Sequence, residues 1–337
     1  SSVFIIPSND TKVNRPKGMD LPRQPPLLLL PGHGILSVTR AQNSAFFTNP
    51  GGGGMLFPYQ EGGPRAGPGG PGQETAMERM EQIAFLNHIL LEEMPQYREE
   101  AARFPRDAAS QRRLLRGLMN LRPPLPLRAD FLAVQDALLS AEREERGVVD
   151  ATALPAVRAH PRLSLWQGDI TRLEADAIVN AANNALLGCF SPCHGCIDNA
   201  IHSAAGLQLR EECSRLMEAQ GHAEPTGRAK LTRGYALPAR YVLHTVGPIV
   251  HGGVTRADRE ALASCYRSCL ETAAANGITS VAFCCVSTGV FHFPNRPAAE
   301  IAVKTVREFL EKDTSMTKIV FNVFKDSDLE IYQDLLN

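Results

Sequence analysis

The sequence predicts an α/β fold: a mixed or mostly parallel sheet with helices on both faces, preceded by a small helical unit and an irregular tail. Three observations predict it. Glycine and proline crowd into the first 77 residues, which hold 13 Gly and 11 Pro against 14 and 13 in the remaining 260. From about residue 78 apolar residues recur at helical spacing. After about residue 161 short apolar runs alternate with helical stretches, the pattern of a sheet layered by helices.

Taken in order, residues 1–77 are expected to be a disordered low-complexity tail. At that Gly and Pro content without a period, a chain buries too little apolar surface to offset the entropy of ordering. Residues 78–150 form the helical unit. Met80, Ile83, Leu86, Ile89 and Leu90 share one face, Leu114, Leu115, Leu118 and Met119 another before the breaker Pro123-Pro124, and a third helix is expected over 128–146 with Phe131, Val134, Leu138 and Leu139 inward. Residues 151–337 carry the sheet. Strands are expected at 163–166, 177–180, 241–246, 281–286 and 319–324, and helices at 201–219, 256–275, 298–311 and 329–336. Ligands bind such sheets at strand C-terminal ends.

Composition limits the partners. With 35 Lys plus Arg against 36 Asp plus Glu the net charge is -1, so a general grip on nucleic-acid phosphates is not expected. The longest aliphatic run, Leu27-Leu28-Leu29-Leu30, is far short of the roughly 18 residues of a membrane span, and no membrane partner is expected. All eight cysteines lie beyond residue 188, three of them within eight residues, which suits an intracellular metal site better than a secreted disulfide framework. A reducing, cytoplasmic location is expected, without a secretory signal; the tail leaves room for an organelle address. Oligomeric state is not readable.

Three strand-end loops carry polar chemistry. The first is Gln167-Gly168-Asp169-Ile170-Thr171, where the carboxylate can accept from a base or a sugar, or simply cap a turn. The second, Val179-Asn180-Ala181-Ala182-Asn183-Asn184, sets amides at the loop mouth, suited to a hydroxyl-rich ligand or to shaping the turn. The third, Val286-Ser287-Thr288-Gly289-Val290-Phe291, offers small residues whose N–H groups can approach phosphate, beside an aromatic ring. Cys189, Cys193, His194 and Cys196 form a thiolate and imidazole group suited to zinc. Three ligands would leave a position open for catalysis, whereas the Cys193-x-x-Cys196 pair leaves a closed four-ligand site or a redox pair open as alternatives. Cys213, Cys265, Cys269, Cys284 and Cys285 fall on helical or strand patterns as small buried hydrophobes.

In this order, together with Gly227-Arg228-Ala229-Lys230-Leu231-Thr232-Arg233-Gly234-Tyr235 and Leu237-Pro238-Ala239-Arg240-Tyr241-Val242-Leu243-His244-Thr245-Val246-Gly247-Pro248, the loops resemble a macrodomain over about residues 161–337. The resemblance implies an ADP-ribose-binding three-layer α/β/α sandwich with a mixed central sheet. Asp198-Asn199-Ala200-Ile201-His202-Ser203-Ala204-Ala205-Gly206 is similar to the catalytic-loop helix of MacroD-type hydrolases, with Asn199 in place of their usual glycine. Where those enzymes carry a glycine run, Gly188-Cys189-Phe190-Ser191-Pro192-Cys193-His194-Gly195-Cys196 instead resembles the zinc-containing macrodomain branch, whose pattern falls on Cys189, His194 and Cys196 and skips Cys193. Gly117-Leu118-Met119-Asn120-Leu121-Arg122-Pro123-Pro124-Leu125-Pro126 resembles that branch's N-terminal extension.

The resemblance implies one zinc ion per chain and a hydrolase that removes mono-ADP-ribose from Asp or Glu side chains of modified proteins. Asp169 and Ile170 would hold the adenine with Phe324 stacking on it. Ser287, Thr288, Gly289, Val290 and Phe291 would cradle the diphosphate, and Asn183 would bind the distal ribose. Asp198 would orient or activate the nucleophile. His202, one turn on, is either its partner or a satisfied structural histidine. The competing expectations are a reader that binds ADP-ribose around a structural zinc, and an interaction scaffold.

Overall fold

In a computed structural model of the protein, residues 78–337 are described; the expected tail, residues 1–77, lies outside the described residues. Helices α1 (Arg79–Glu93), α2 (Arg98–Ala101), α3 (Ala108–Leu121) and α4 (Ala129–Arg146) come first. Their ends follow local chemistry: a Glu78/Glu81 capping box opens α1, Asp107 accepts the Ser110 N–H at the start of α3, and Gly147 ends α4. Their apolar stripes meet in one cluster that also takes in Leu207 and Ala236 from beyond residue 150. Met80 shares the spacing of α1 but is exposed, because the stripe facing α3 and α4 already closes on Ile83, Leu86 and Leu90.

A two-residue strand, β1 (Val149–Asp150), pairs in parallel with β3 (Leu173–Glu174). The main sheet has six strands in the order β2 (Leu163–Gln167), β8 (Lys318–Val323), β7 (Ser280–Phe283), β4 (Ala177–Ala181), β6 (Tyr241–Thr245), β5 (Ala229–Arg233). All neighbours are parallel except β5 and β6, so the sheet is mixed. Strands β7 and β8 are buried along their whole length, with apolar stretches Val281-Ala282-Phe283 and Ile319-Val320-Phe321, as expected of parallel strands covered on both faces.

The crossovers set the layers. Helices α5 (Ile197–Ala205) and α6 (Leu207–Gln220) carry the chain from β4 outward to the edge strand β5, which turns back antiparallel into β6, while α7 (Arg256–Ala275) and α8 (Asn295–Leu310) carry it back through β7 to β8. Right-handed connections running in opposite directions put the two pairs on opposite faces. Accordingly α5 packs on α6 and β4, whereas α7 packs on α8 and α8 on α9 (Asp326–Leu336). The same parallel arrangement gathers the C-terminal ends of β2, β8, β7, β4 and β6 along one edge. Among the described residues no helix is long and apolar enough to cross a membrane.

The larger differences from expectation both fall between β4 and β6. The helix expected over 201–219 is two helices, starting at Ile197 and broken at Gly206, whose φ of 94° no helix contains. Strand β5 was not expected, because Lys230, Thr232 and Arg233 give an edge strand no apolar run to read.

Candidate active site

Three strand-end loops line the C-terminal edge. Beyond β7 the chain leaves the sheet at Phe283, earlier than expected, and turns into residues 287–291. Ser287 sits at φ 66° with its hydroxyl buried and without a hydrogen-bond partner among the described residues. Strain of this kind is stored at ligand-binding loops. The amides of Gly289, Val290 and Phe291 make no backbone hydrogen bond among the described residues, leaving three successive donors for an anion. Thr288 turns its hydroxyl inward to the Cys285 carbonyl at 3.0 Å, and Val290 is exposed.

At the far end of the edge Asp169 caps the short turn after β2, its Oδ1 accepting from Thr171 N at 3.0 Å and Thr171 Oγ1 at 2.7 Å. Its Oδ2 lies 3.6 Å from Arg146 Nη1 of α4. Ile170 is buried. Phe324, just after β8, is 76% exposed, an unused aromatic face.

The loop between β4 and α5 brings three donors together. Cys189 Sγ, His194 and Cys196 Sγ converge so that their ligand atoms lie within 4.8 Å of one another, and Cys189 Sγ to His194 Nδ1 is 3.6 Å. Tetrahedral zinc with its usual bond lengths would separate a sulfur and a nitrogen ligand by about 3.6 Å, so the donor chemistry and this spacing fit the metal. Cys193 stands apart. At φ 53° its thiol donates to the Arg113 carbonyl at 3.5 Å. The hydrogen bond from Cys196, helped by the Ser191 amide and by His194, brings the Cys189 thiol down, while the same bond to Cys189 and burial push Cys196 up. Metal binding needs both sulfurs as thiolates, so an ion bound here would displace the proton that the hydrogen bond between them holds.

Cys196 also caps α5, accepting the Asn199 N–H at 3.4 Å. Two residues on, Asp198 is buried, with Oδ1 taking Asn180 Nδ2 at 2.8 Å and Oδ2 taking Asn183 Nδ2 at 3.3 Å. Burial raises its pKa to about 7 against the pull of the Asn180 hydrogen bond, which poises a carboxylate for proton transfer near neutrality. Asn183 also donates to Gly188 O at 3.0 Å and accepts from Ala185 N at 3.0 Å, tying the carboxylate to the loop.

His202 is not the satisfied histidine of one expectation: both ring nitrogens are buried without a hydrogen-bond partner among the described residues. Its Nε2 stands 3.5 Å from Asp198 Oδ1, and burial, with Arg210 and His244, drives its pKa well down, so the ring is neutral. It packs under Gly188, where a Cβ would fall 2.8 Å from its Cγ. His202, Cys213 and His244 also lie close together. There Asn180 Nδ2 meets His244 Nδ1 at 3.2 Å and Thr232 Oγ1 meets Nε2 at 2.9 Å, so both His244 nitrogens are already engaged.

The sequence reading assigned no role to three residues here. Asn180 faces His244 across the β4/β6 register and is the main anchor of Asp198; its place in the second loop motif was the available signal. Asn199, the departure from glycine, is fully buried: its Oδ1 accepts Arg116 Nη2 at 2.8 Å and its Nδ2 donates to Ser191 O at 3.0 Å. Arg210 of α6 is buried, with burial lowering its pKa to about 10. It donates to the carbonyls of Leu187, Met119, Asn120 and Arg122 at 2.6–3.0 Å and lies 4.4 Å from the Phe190 ring centre. Nothing local announces this, because three of its four acceptors lie about ninety residues away.

Comparison with known proteins agrees with this geometry. Residues 179–302 match the family described as Macro domain. A protein-ADP-ribose hydrolase of Treponema medium is 49% identical over 263 residues, 77% of this chain and 100% of that protein. One from Staphylococcus aureus strain Mu50 is 50% identical over 225 residues, 66% of this chain and 84% of its own. A crystal structure of a Trypanosoma brucei macrodomain in complex with ADP-ribose is 34% identical and aligns over 66% of this chain and 95% of that one, with a TM-score of 0.52. On the strength of that identity, which spans the whole of the Treponema protein, the chain belongs to the macrodomain family of protein-ADP-ribose hydrolases, enzymes of de-ADP-ribosylation.

Proposed function

We propose that the protein hydrolyses the bond between single ADP-ribose groups and the Asp or Glu side chains of modified proteins, using one zinc ion on Cys189, His194 and Cys196. The observation that carries the reading is that the three converging donors belong to the same short loop that delivers Asp198. Cys196 caps the helix in which the buried carboxylate is the second residue. When bound, zinc would supply Lewis acidity to a substrate oxygen or lower the pKa of a water.

The chain's own residues supply the rest. Asp169 would accept from the adenine amine beside Ile170, with Phe324 offering its exposed ring face. The free amides of Gly289, Val290 and Phe291 face the diphosphate, beside Ser287 and Thr288. Asn183, which donates to Asp198, would bind the distal ribose. Asp198, with its pKa near 7, accepts the proton of the attacking nucleophile. The ADP-ribose in the trypanosomal structure and the hydrolase names of the bacterial relatives support the ligand and the reaction; the acidic linkage rests on the resemblance to MacroD-type enzymes. A reducing, cytoplasmic location goes with this reading, since the site needs free thiols.

Turnover on glutamyl-ADP-ribosylated protein, with zinc content measured in parallel, tests the reading. The wild-type protein is expected to release ADP-ribose, and a Cys189→Ala, Cys196→Ala variant to stay folded while losing both zinc and turnover. Full activity in a folded, zinc-free double variant would falsify zinc dependence. ADP-ribose binding without release would favour a reader, and release confined to seryl or arginyl linkages would overturn the carboxylate preference.

A further inference from the structure

The Cys189 to Cys196 loop is not held by the sheet alone. Helix α3, more than seventy residues earlier in the chain, lies against it. Gly117 of α3 faces Pro192 and Cys193, where a Cβ would fall 3.6 Å from Pro192 Cβ. Asn120, 1% exposed, accepts the Cys193 N–H at 2.9 Å and donates to Ser203 Oγ of α5 at 3.0 Å. Arg116, one turn earlier, donates to Asn199 Oδ1 at 2.8 Å and reaches toward the His194 carbonyl at 3.5 Å.

Three features give these contacts a purpose. Cys193 occupies the left-handed region, a conformation that costs a non-glycine residue and persists only where its surroundings over-determine it; the Asn120 acceptor is what meets its amide. Cys193 sits between Cys189 and the adjoining donors His194 and Cys196, so the turn at Cys193 sets the angle at which the second pair faces the first. Asn199 is the residue whose N–H Cys196 Sγ accepts, so Arg116 holds the same residue that orients that sulfur. Two of the three donors are thereby fixed through α3, while Arg210 anchors the loop's other end through the Leu187 carbonyl and its stacking on Phe190.

We propose that Asn120 and Arg116 are positioning residues of the metal site, so that the helical extension completes the donor geometry instead of merely covering the sheet. The proposal rests on the zinc reading above. Neither residue touches a ligand atom; both act through the backbone of Cys193 and His194 and the side chain of Asn199. Outer partners that orient ligands typically alter metal affinity by about 10–100-fold.

The test uses the full chain with Asn120→Ala and, independently, Arg116→Met, which keeps the stem of a half-buried side chain and removes its donors. Zinc affinity is measured by competition with a chromophoric chelator, the cobalt(II)-substituted visible spectrum reports ligand geometry, and kcat and KM are read on ADP-ribosylated protein. Expected are zinc affinities about tenfold weaker or more, an altered cobalt spectrum and a lowered kcat, with ADP-ribose affinity within about twofold of wild type because its pocket is untouched. An unchanged zinc affinity and cobalt spectrum in folded Arg116→Met overturns the proposal even if Asn120→Ala fails to fold. A wild-type protein that takes up no zinc overturns it together with the zinc reading, whereas wild-type uptake with undiminished uptake by the variants overturns the positioning role alone.

Discussion

Asp198 concentrates the chemistry of the site on one side chain. A buried carboxylate meets amide donors on both oxygens, Asn180 and Asn183, and still titrates near neutrality because burial outweighs them. Asp198→Asn keeps the shape, but its new NH2 group must face one of those donors and it can no longer take a proton. Turnover is expected to fall by roughly 10²–10⁴ while ADP-ribose still gives a thermal shift; retained turnover would remove Asp198 from the chemistry. Gly188 is constrained differently. At φ 78° a Cβ there would press into the His202 ring at 2.8 Å, so Gly188→Ala is expected to cost about 1–3 kcal/mol and to displace the loop, read as a lowered melting temperature with reduced turnover. His202 was recognisable from its spacing to Asp198; that its nitrogens go unpartnered was not, since pairing depends on what the fold brings around a ring.

Among elements, the division was between those that announce themselves and those that do not. Helix α7 matched its expected bounds, Arg256–Ala275, because Thr255 and Asp258 form a capping box ahead of a long apolar stripe. Strands β4, β7 and β8 were found because buried parallel strands carry short apolar runs, here Ile178-Val179, Val281-Ala282-Phe283 and Ile319-Val320-Phe321. Edge strand β5 escaped because only its pairing with β6 defines it. Helix α4 shows an element whose function lies in its last residue: Arg146 donates to Thr171 Oγ1 at 3.2 Å and neighbours Asp169. Both partners of that ion pair are about 40% exposed, so it is worth at most about 1 kcal/mol. Arg146→Ala should therefore weaken ADP-ribose binding by less than about fivefold in a titration. A loss of a hundredfold or more would mean that Arg146 contacts the ligand itself.

At the scale of the whole molecule, the helices before residue 147 and the sheet domain are joined by more than apolar contact. The carbonyls at the end of α3 receive the buried Arg210 guanidinium, Gln135 accepts the Leu207 amide at 3.0 Å, and Leu207 and Ala236 lie within the helical cluster. A chain lacking residues 78–146 would strip Arg210 of three of its four carbonyl acceptors and bare the apolar face around Leu207 and Ala236. Aggregation or a much lower melting temperature is expected, checked by soluble yield and calorimetry. A truncated chain that melts like the parent would show that the two parts are independent.

The sequence by itself determined the alternation of strands and helices, the end of the Gly and Pro excess near Glu78, and the clustering of four candidate metal donors, Cys189, Cys193, His194 and Cys196, because periodicity and residue spacing are local properties of the chain. Only the tertiary structure decided that Cys193 turns away from the other three, that Asn199 replaces glycine to meet Arg116, and that Arg210 is buried on carbonyls of α3. Each depends on partners seventy or more residues distant. A hydrogen bond reaches only about 3 Å, so such partners exist only once the fold has set α3 against the loop.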